Sequence, residues 1–264
     1  MTGSLILAAG RGSRMKGYEG NKTLLPLEPQ KSPLEGSLPI LMHILENLPS
    51  GPKALVVHHG KEAVIHATRS LHVSYVDQPV LNGTGGALLA ARDFVELQNH
   101  DEWIITMGDI PLVERVTYQN LIEALKSSPF VVLGFQPADK KQYGVLEFDG
   151  DSVKKIVEWK YWRSFPRETQ EKLRICNSGI YAARKSHLLK YTPLIENRPH
   201  AVLKEKEKKL VEIEEFFITD LVELMHQDGL KVRCVVAQDE NEVMGVDDLP
   251  SLIKAQNLFR GSTS

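Results

Sequence analysis

A glycine-rich turn directly after a short apolar run near the N-terminus constrains this chain most. Residues 5–9 read Leu-Ile-Leu-Ala-Ala and are followed by Gly10-Arg11-Gly12-Ser13-Arg14-Met15, with Lys22 downstream. The apolar run predicts a buried strand, and Gly10 and Gly12 allow positive φ and a close approach of backbone N–H groups to an anion. Arg14 adds a bidentate fork and Lys22 a point charge. The stretch therefore predicts a phosphate-binding loop.

Two common phosphate motifs do not fit this stretch. A dinucleotide-binding fingerprint requires glycine where Met15 stands, and a Walker A loop requires glycine where Asn21 precedes Lys22. We therefore exclude both motifs. A strand followed by an ordinary turn with a solvated arginine remains the alternative to a ligand-binding loop.

Apolar runs and amphipathic segments alternate along the first part of the chain. We predict strands at 53–58, 73–76 and 103–107 and helices at 39–48, 62–70 and 87–95, the last opened by Gly83-Thr84-Gly85-Gly86. This alternation is typical of a parallel sheet with crossover helices. The proline-punctuated stretch 24–33 is predicted to be an irregular connection.

The pattern changes at Phe130, where short strand-like runs predict an antiparallel addition. We predict strands at 130–135, 145–148, 153–158 and 175–182, a loop with a short helix at 160–172, and a solvated helix face at 204–209. Thr219 is predicted to cap a helix at 220–227. A strand at 231–236 and an amphipathic helix through Phe259 then close the chain.

Composition excludes several functional classes. The chain has 264 residues, of which 42% are hydrophobic, enough for a sizeable core in one α/β domain. Its formal net charge of -2 implies no general attraction to nucleic acid or to an acidic membrane. Cys176 and Cys234 are too far apart in sequence for a C-x-x-C zinc or disulfide pattern. With no apolar run long enough to span a bilayer, we expect a cytoplasmic protein.

The first motif matches the signature L-A-A-G-x-G-[ST]-R-M, so the chain resembles the sugar-nucleotidyltransferase (nucleotide-sugar pyrophosphorylase) family. The resemblance runs to about Asn257 and is greatest to the uridylyltransferase domain of the bifunctional N-acetylglucosamine-1-phosphate uridylyltransferase/glucosamine-1-phosphate acetyltransferases. It implies an α/β fold with a Rossmann-like, mostly parallel sheet, flanking helices and an antiparallel sugar-binding insertion. The hexapeptide repeats of a left-handed β-helix are absent from this sequence.

The resemblance also implies one nucleotidyltransferase domain over 1–264. Its nucleotide-binding part would cover about 1–128, its sugar-binding part about 129–230, and its closing strand and helix about 231–264.

The resemblance assigns residues to a nucleoside triphosphate. Arg14 and Lys22 are the catalytic residues that it implies. Gln78 would read the edge of the uracil base. The remaining residues of the implied nucleotide site are Leu7, Ala8, Ala9, Gly10, Gly12, Gly83 and Thr84.

The resemblance assigns further residues to the sugar and the metal. The implied sugar-binding residues are Tyr143, Gly144, Glu158 and Asn177. Asp109 would be one metal ligand, and it follows a predicted strand at the edge where parallel sheets bind ligands. Asp247 would be the second ligand where the nearest relatives have Asn, and its carboxylate suits Mg²⁺.

The reaction implied is the joining of UTP and a sugar 1-phosphate, N-acetylglucosamine 1-phosphate in the first place, to give UDP-sugar and pyrophosphate. Mg²⁺ is the implied cofactor, and a homo-oligomer is compatible with the sequence. Three alternatives stay open: cytidylyl transfer, guanylyl transfer of the MobA-like kind to another phosphorylated acceptor, and a non-catalytic sugar-nucleotide sensor.

Three further features depart from the family pattern. Asn177 follows Cys176 and precedes Ser178, where the relatives often have Asn-Thr-Gly. Lys22 follows Gly20-Asn21, whereas the family usually has Leu-Pro before this lysine. The aromatic run Trp159-Lys160-Tyr161-Trp162 could line a sugar pocket, cover the small lobe or contact another subunit.

Overall fold

A computed structural model describes residues 1–10, 12, 14–15, 17–206 and 209–262. The strands are β1 (Gly3–Leu7), β2 (Pro26–Ser32), β3 (Glu35–Pro39), β4 (Lys53–Val57), β5 (Ser74–Asp77), β6 (Glu102–Met107), β7 (Phe130–Phe135), β8 (Val145–Asp149), β9 (Ser152–Val157), β10 (Cys176–Arg184), β11 (His200–Lys206), β12 (Lys209–Glu215) and β13 (Val232–Val236).

Helices connect most of these strands. They are α1 (Ile40–Asn47), α2 (Lys61–Thr68), α3 (Gly83–Ala90), α4 (Arg92–Leu97), α5 (Arg115–Ala124), α6 (Trp159–Trp162), α7 (Arg167–Lys172), α8 (Lys185–Tyr191), α9 (Asp220–Gln227) and α10 (Leu249–Ser262), with 3-10 helices at Lys22–Leu24 and Thr192–Asn197. None of the described helices is both long enough and apolar enough to cross a membrane.

The central sheet has the strand order β13-β7-β10-β6-β1-β4-β5. Its neighbouring strands are parallel except at β10, which runs antiparallel between β6 and β7. Buried side chains of α1, α5 and α10 belong to the core on one face, and those of α3, α8 and α9 to the core on the other. The predicted mostly parallel sheet with flanking helices is confirmed.

The β8–β9 hairpin joins the sheet through β10, where Val145 pairs with Cys176. It forms the antiparallel addition expected after Phe130. Both cysteines are free thiols, in agreement with the absence of a cysteine motif.

Two local predictions are wrong. The stretch 24–33 is not irregular, because β2 pairs with β3 in a two-stranded hairpin that begins with Pro26 opposite Pro39. Prolines are tolerated there because a two-stranded sheet has open edges that need no further N–H donor. In the run 204–209, residues 204–206 and 209 do not lie in a helix, because they belong to β11 and β12, which form a two-stranded ribbon; residues 207 and 208 lie outside the described residues. Alternation of Lys and Glu has the period of a strand rather than that of a helix.

Two helix starts also differ from expectation. The helix predicted at 87–95 begins at Gly83 and is divided into α3 and α4. Thr219 immediately precedes α9, but its side chain makes no capping hydrogen bond. The backbone of Thr219 is already helical, with a φ of -58° and a ψ of -24°, whereas a capping residue usually has an extended backbone.

Candidate active site

Lys22 lies between two carboxylates that come from distant parts of the chain. Its ammonium contacts Asp109 Oδ2 and lies 3.2 Å from Asp247 Oδ1, and the lysine side chain is only 13% exposed. Burial acts to lower the pKa of Lys22, but the charges and hydrogen bonds of both aspartates outweigh it and raise this pKa above its ordinary value. Lys22 is therefore held as a cation.

Arg14 reaches the same cluster from the glycine-rich loop. Its Nη2 donates to Asp247 Oδ1 at 2.8 Å, and its side chain is 64% exposed. Gly12 adopts a φ of 61°, and a Cβ at this position would lie 3.2 Å from Lys22 Cδ. The absence of a side chain at Gly12 lets the loop pass over the stem of Lys22. Arg11, which belongs to the predicted motif, lies outside the described residues together with Ser13 and Lys16.

Backbone hydrogen bonds place the two aspartates at the carboxyl ends of β1 and β6. Gly108 N donates to Leu7 O at 2.9 Å, so Asp109 follows directly from the junction of these strands. Val246 N donates to Asp109 O at 2.8 Å, which holds Asp247 beside it. Backbone hydrogen bonds at the end of the sheet therefore bring together residues that the sequence places far apart.

The remaining loop residues lie at the same edge of the sheet. Ala8 and Ala9 are buried, whereas Gly10 is exposed. Ala8 N donates to Val56 O at 2.9 Å and Ala9 O accepts from His59 N at 3.4 Å. The expectation of positive φ is correct for Gly12 but wrong for Gly10, which is not among the glycines with positive φ.

The predicted base-reading segment is held by residues just before α9. Gln78 is 3% exposed, and its Nε2 donates to Asn82 Oδ1 at 3.1 Å and to Gly83 O at 3.2 Å. Gly83 has a φ of 92°, and a Cβ there would collide with Phe216 O. The Thr84 hydroxyl accepts from Ile218 N at 3.2 Å. The structure thus brings Gln78, Gly83 and Thr84 together.

Three of the four predicted sugar-binding residues adjoin one another. Asn177 N donates to Gly144 O at 2.8 Å. A Cβ on Gly144 would lie 3.5 Å from Glu158 Oε2. Burial raises the pKa of Glu158; a hydrogen bond from the Thr219 hydroxyl opposes this rise, and the charge of Asp220 adds to it.

The fourth residue, Tyr143, connects this group with the aspartates. Its carbonyl accepts a hydrogen bond of 2.8 Å from Trp162 Nε1. Burial raises the pKa of the Tyr143 hydroxyl, and the charges of Asp247 and Asp109 raise it further. The hydroxyl therefore lies within the field of the carboxylate cluster, while the neighbouring Gly144 faces Glu158.

A pocket of about 270 Å³ opens beside Glu158. It is lined in part by Tyr161, Phe165, His200, Phe217, Thr219 and Asp220. Tyr161 therefore faces a pocket, whereas Trp162 of the same aromatic run is buried in the core.

His200 is a lining residue that the sequence did not indicate. Its Nε2 lies 2.8 Å from Asp220 Oδ2, and its Nδ1 lies 2.9 Å from the Tyr161 hydroxyl. The ring also stacks on Phe217, with centroids 4.5 Å apart. No local motif marks His200, because its place in the pocket depends on how the β11–β12 ribbon packs.

The Rossmann-like sheet, with basic loop residues facing paired aspartates at its carboxyl edge, defines the class of nucleotidyltransferases. This chain belongs to the family of the MobA-like NTP transferase domain, whose family model matches residues 4–187.

Curated relatives of similar sequence include bifunctional proteins named GlmU. The bifunctional protein GlmU of Roseobacter denitrificans is 32% identical over 265 residues, which cover 98% of this chain and 53% of that protein. GlmU of Ruegeria pomeroyi is 31% identical over 264 residues, with 98% and 53% covered. The chain spans about half the length of the curated relatives it matches.

Solved structures show the same fold. Uridine diphosphate N-acetylglucosamine pyrophosphorylase from Trypanosoma brucei aligns with a TM-score of 0.74 at 13% identity, covering 96% of this chain and 64% of that one. A nucleotidyl transferase from Methanothermobacter aligns with a TM-score of 0.64 at 19% identity, covering 99% of both chains.

Proposed function

We propose that this protein joins UTP and a sugar 1-phosphate, with N-acetylglucosamine 1-phosphate as the first candidate, to give UDP-sugar and pyrophosphate. The observation that carries the proposal is the placement of Lys22 between Asp109 and Asp247, with Arg14 on the same carboxylate. The GlmU relatives and the pyrophosphorylase of similar fold support uridylyl transfer.

In the proposed reaction, an oxygen of the sugar phosphate attacks the α-phosphorus of UTP. The bond from this phosphorus to the bridging oxygen of the β-phosphate breaks, and pyrophosphate leaves with the electron pair. A phosphate monoester has a second pKa of about 6, so the nucleophile is already ionised at neutral pH and no general base is needed. Arg14 and Lys22 would neutralise charge on the departing pyrophosphate, so catalysis rests on positioning and electrostatics.

Asp109 and Asp247 are the residues that would hold Mg²⁺. Their carboxylates meet at one ammonium group, and they are 15% and 36% exposed. The described residues include no group of three or more His, Cys, Asp or Glu side chains placed to bind a metal. This donor set fits Mg²⁺, which proteins usually hold by one or two carboxylates together with phosphates and water. When bound, the ion would supply positive charge to the phosphates.

The other assignments follow the same proposal. Leu7, Ala8, Ala9, Gly10, Gly12, Gln78, Gly83 and Thr84 would contact the nucleotide. Tyr143, Gly144, Glu158 and Asn177 would contact the sugar. Gly144 supports this assignment because the lack of a side chain leaves the space beside Glu158 Oε2 open.

The test is pyrophosphate release with Mg²⁺, measured for UTP, CTP and GTP against N-acetylglucosamine 1-phosphate and other sugar phosphates. Release confined to UTP and N-acetylglucosamine 1-phosphate supports the proposal in full. Release with UTP and another sugar phosphate supports uridylyl transfer, and it changes only the sugar that is assigned to the pocket beside Glu158. Release with CTP or GTP alone overturns uridylyl transfer. Metal-independent binding of UDP-sugar without any release indicates a sensor.

A further inference from the structure

The side chain of Asn21 is 1% exposed and makes four hydrogen bonds. Its Nδ2 donates to Ala8 O at 2.9 Å and to His59 O at 2.8 Å. Its Oδ1 accepts from Thr23 N at 3.0 Å and from Thr23 Oγ1 at 2.8 Å. An amide offers two donors and two acceptor lone pairs, so the full capacity of this side chain is used.

The partners of Asn21 come from three different segments. Ala8 follows β1, His59 follows β4, and Thr23 lies in the 3-10 helix Lys22–Leu24. A helix of this length has little stability of its own and depends on contacts outside it. Asn21 therefore fastens the turn that carries Lys22 to the carboxyl ends of two sheet strands.

Close packing leaves little freedom around this amide. Gly60 has a φ of 63°, and a Cβ there would lie 3.3 Å from Asn21 Cβ. A ring nitrogen of His59 also lies 3.2 Å from Glu19 O, within the loop that leads to Asn21. His59, whose carbonyl oxygen accepts from Asn21, therefore also contacts the loop on the N-terminal side of Lys22.

We propose that Asn21 is the positioning residue of Lys22: its amide fixes the turn so that the ammonium stays at Asp109 and Asp247, where it meets the triphosphate. The catalytic part of this inference rests on the proposed nucleotidyl transfer. Asn21 has a φ of -76° and a ψ of 120°, a backbone conformation that proline can also adopt.

The central experiment is a double-mutant cycle between Asn21→Leu and Lys22→Met. Asn21→Leu keeps the size of the side chain and removes its hydrogen bonds. We expect it to lower kcat by about 10²-fold, since a small misplacement of a catalytic group has an effect of this order, with KM for the sugar phosphate unchanged. We expect the double variant to be no slower than Lys22→Met alone, because both substitutions remove the same positioned charge. Losses that multiply would overturn the proposal.

Gln256→Leu is the matched control. Gln256 is another buried amide, and its Nε2 donates to Pro26 O and Pro33 O, both at 2.8 Å, between α10 and the β2–β3 hairpin. We expect Gln256→Leu to lower thermal stability and to leave kcat near that of the wild type. Its effect on kcat should multiply with that of Lys22→Met. Coupling of Gln256 to Lys22 as strong as that of Asn21 would contradict a specific role for Asn21.

Two milder variants apply if Asn21→Leu does not fold. Thr23→Val removes only the hydroxyl bond to Asn21 Oδ1, so we expect a smaller loss of kcat that is again absent in the Lys22→Met background. Asn21→Pro keeps the backbone φ and removes the side-chain hydrogen bonds, so we expect a loss close to that of Asn21→Leu. Wild-type turnover in Asn21→Pro would overturn the role of the amide.

Calorimetric titration with UTP separates this inference from the proposed function. If the wild type binds UTP but transfers no nucleotidyl group, the proposed function fails. Equal and non-additive losses of UTP affinity in Asn21→Leu and Lys22→Met would then still support positioning, whereas additive losses would overturn it.

Discussion

The Thr219 hydroxyl donates a hydrogen bond of 2.9 Å to Glu158 Oε1. This bond joins the residue before α9 to the carboxyl group beside the pocket. The same carboxyl has a pKa raised by burial. The protonation of Glu158 is therefore linked to the stability of the fold.

Glu158→Gln should change the pH dependence of stability. Because burial raises the pKa of Glu158, the folded state keeps the proton to higher pH than the unfolded state does. The free energy of unfolding therefore falls as pH rises from the ordinary glutamate value of about 4.3 through the raised pKa, and is constant above it. The glutamine variant lacks this loss, so we expect its Tm to exceed that of the wild type by a few degrees at neutral pH. The difference should vanish below about pH 4.

Differential scanning fluorimetry of both proteins across this pH range checks the prediction. Asp220, whose pKa burial also raises, is present in both proteins, so its direct contribution is common to the two curves. A Tm difference that does not change with pH would contradict the prediction.

Arg14→Ala should lower turnover by roughly 10² to 10³-fold, as removal of one donor to a transition-state oxyanion does. Pyrophosphate release under saturating substrates is the measurement. Arg167→Ala is the control, because Arg167 is 93% exposed and pairs with Glu171 of the same helix. Near-normal turnover of Arg14→Ala would remove Arg14 from the mechanism.

Asp247→Asn and Asp247→Ala should distinguish the role of the side-chain oxygen of Asp247 from the role of its charge. Asn keeps an oxygen that can bind Mg²⁺, so we expect Asp247→Asn to retain turnover within about tenfold of the wild type. Asp247→Ala removes the oxygen, and we expect a loss of more than about 10²-fold. Rates measured over a series of Mg²⁺ concentrations check both variants. Equal rates for the two variants would show that the oxygen of residue 247 has no role.

Gly83→Ala should destabilise the protein, because the backbone has a φ of 92° and the new Cβ would collide with Phe216 O. Left-handed strain alone costs about 1–3 kcal/mol, and the collision adds to it. Urea unfolding gives the free energy directly. Gly261→Ala serves as the control, since Gly261 lies in α10 with open space around its Cα. That variant should be neutral or slightly more stable, and a similar loss in both variants would contradict the explanation.

Local patterns were informative where one segment determines its own conformation. Residues 5–7 and 103–107 form strands because apolar runs, interrupted only by the buried Thr106, suit a sheet that is covered on both faces. The same patterns gave wrong predictions where the conformation of a segment depends on the strand it pairs with. Prolines in 24–33 suggested an irregular chain, but pairing of β2 with β3 makes a hairpin. Charge in 204–209 suggested a helix, but the described residues 204–206 and 209 pair in the β11–β12 ribbon.

The sequence by itself determined the alternating β-α pattern, the glycine-rich loop, and the kinds of side chain that the site contains. Only the tertiary structure decided that Lys22 meets Asp247, which is 225 residues away, that Asn177 of the antiparallel β10 lies against Gly144, and that His200 enters the pocket. The physical reason is that periodicity reports which face of a segment is buried, whereas the partner of that face is chosen by the packing of the whole sheet.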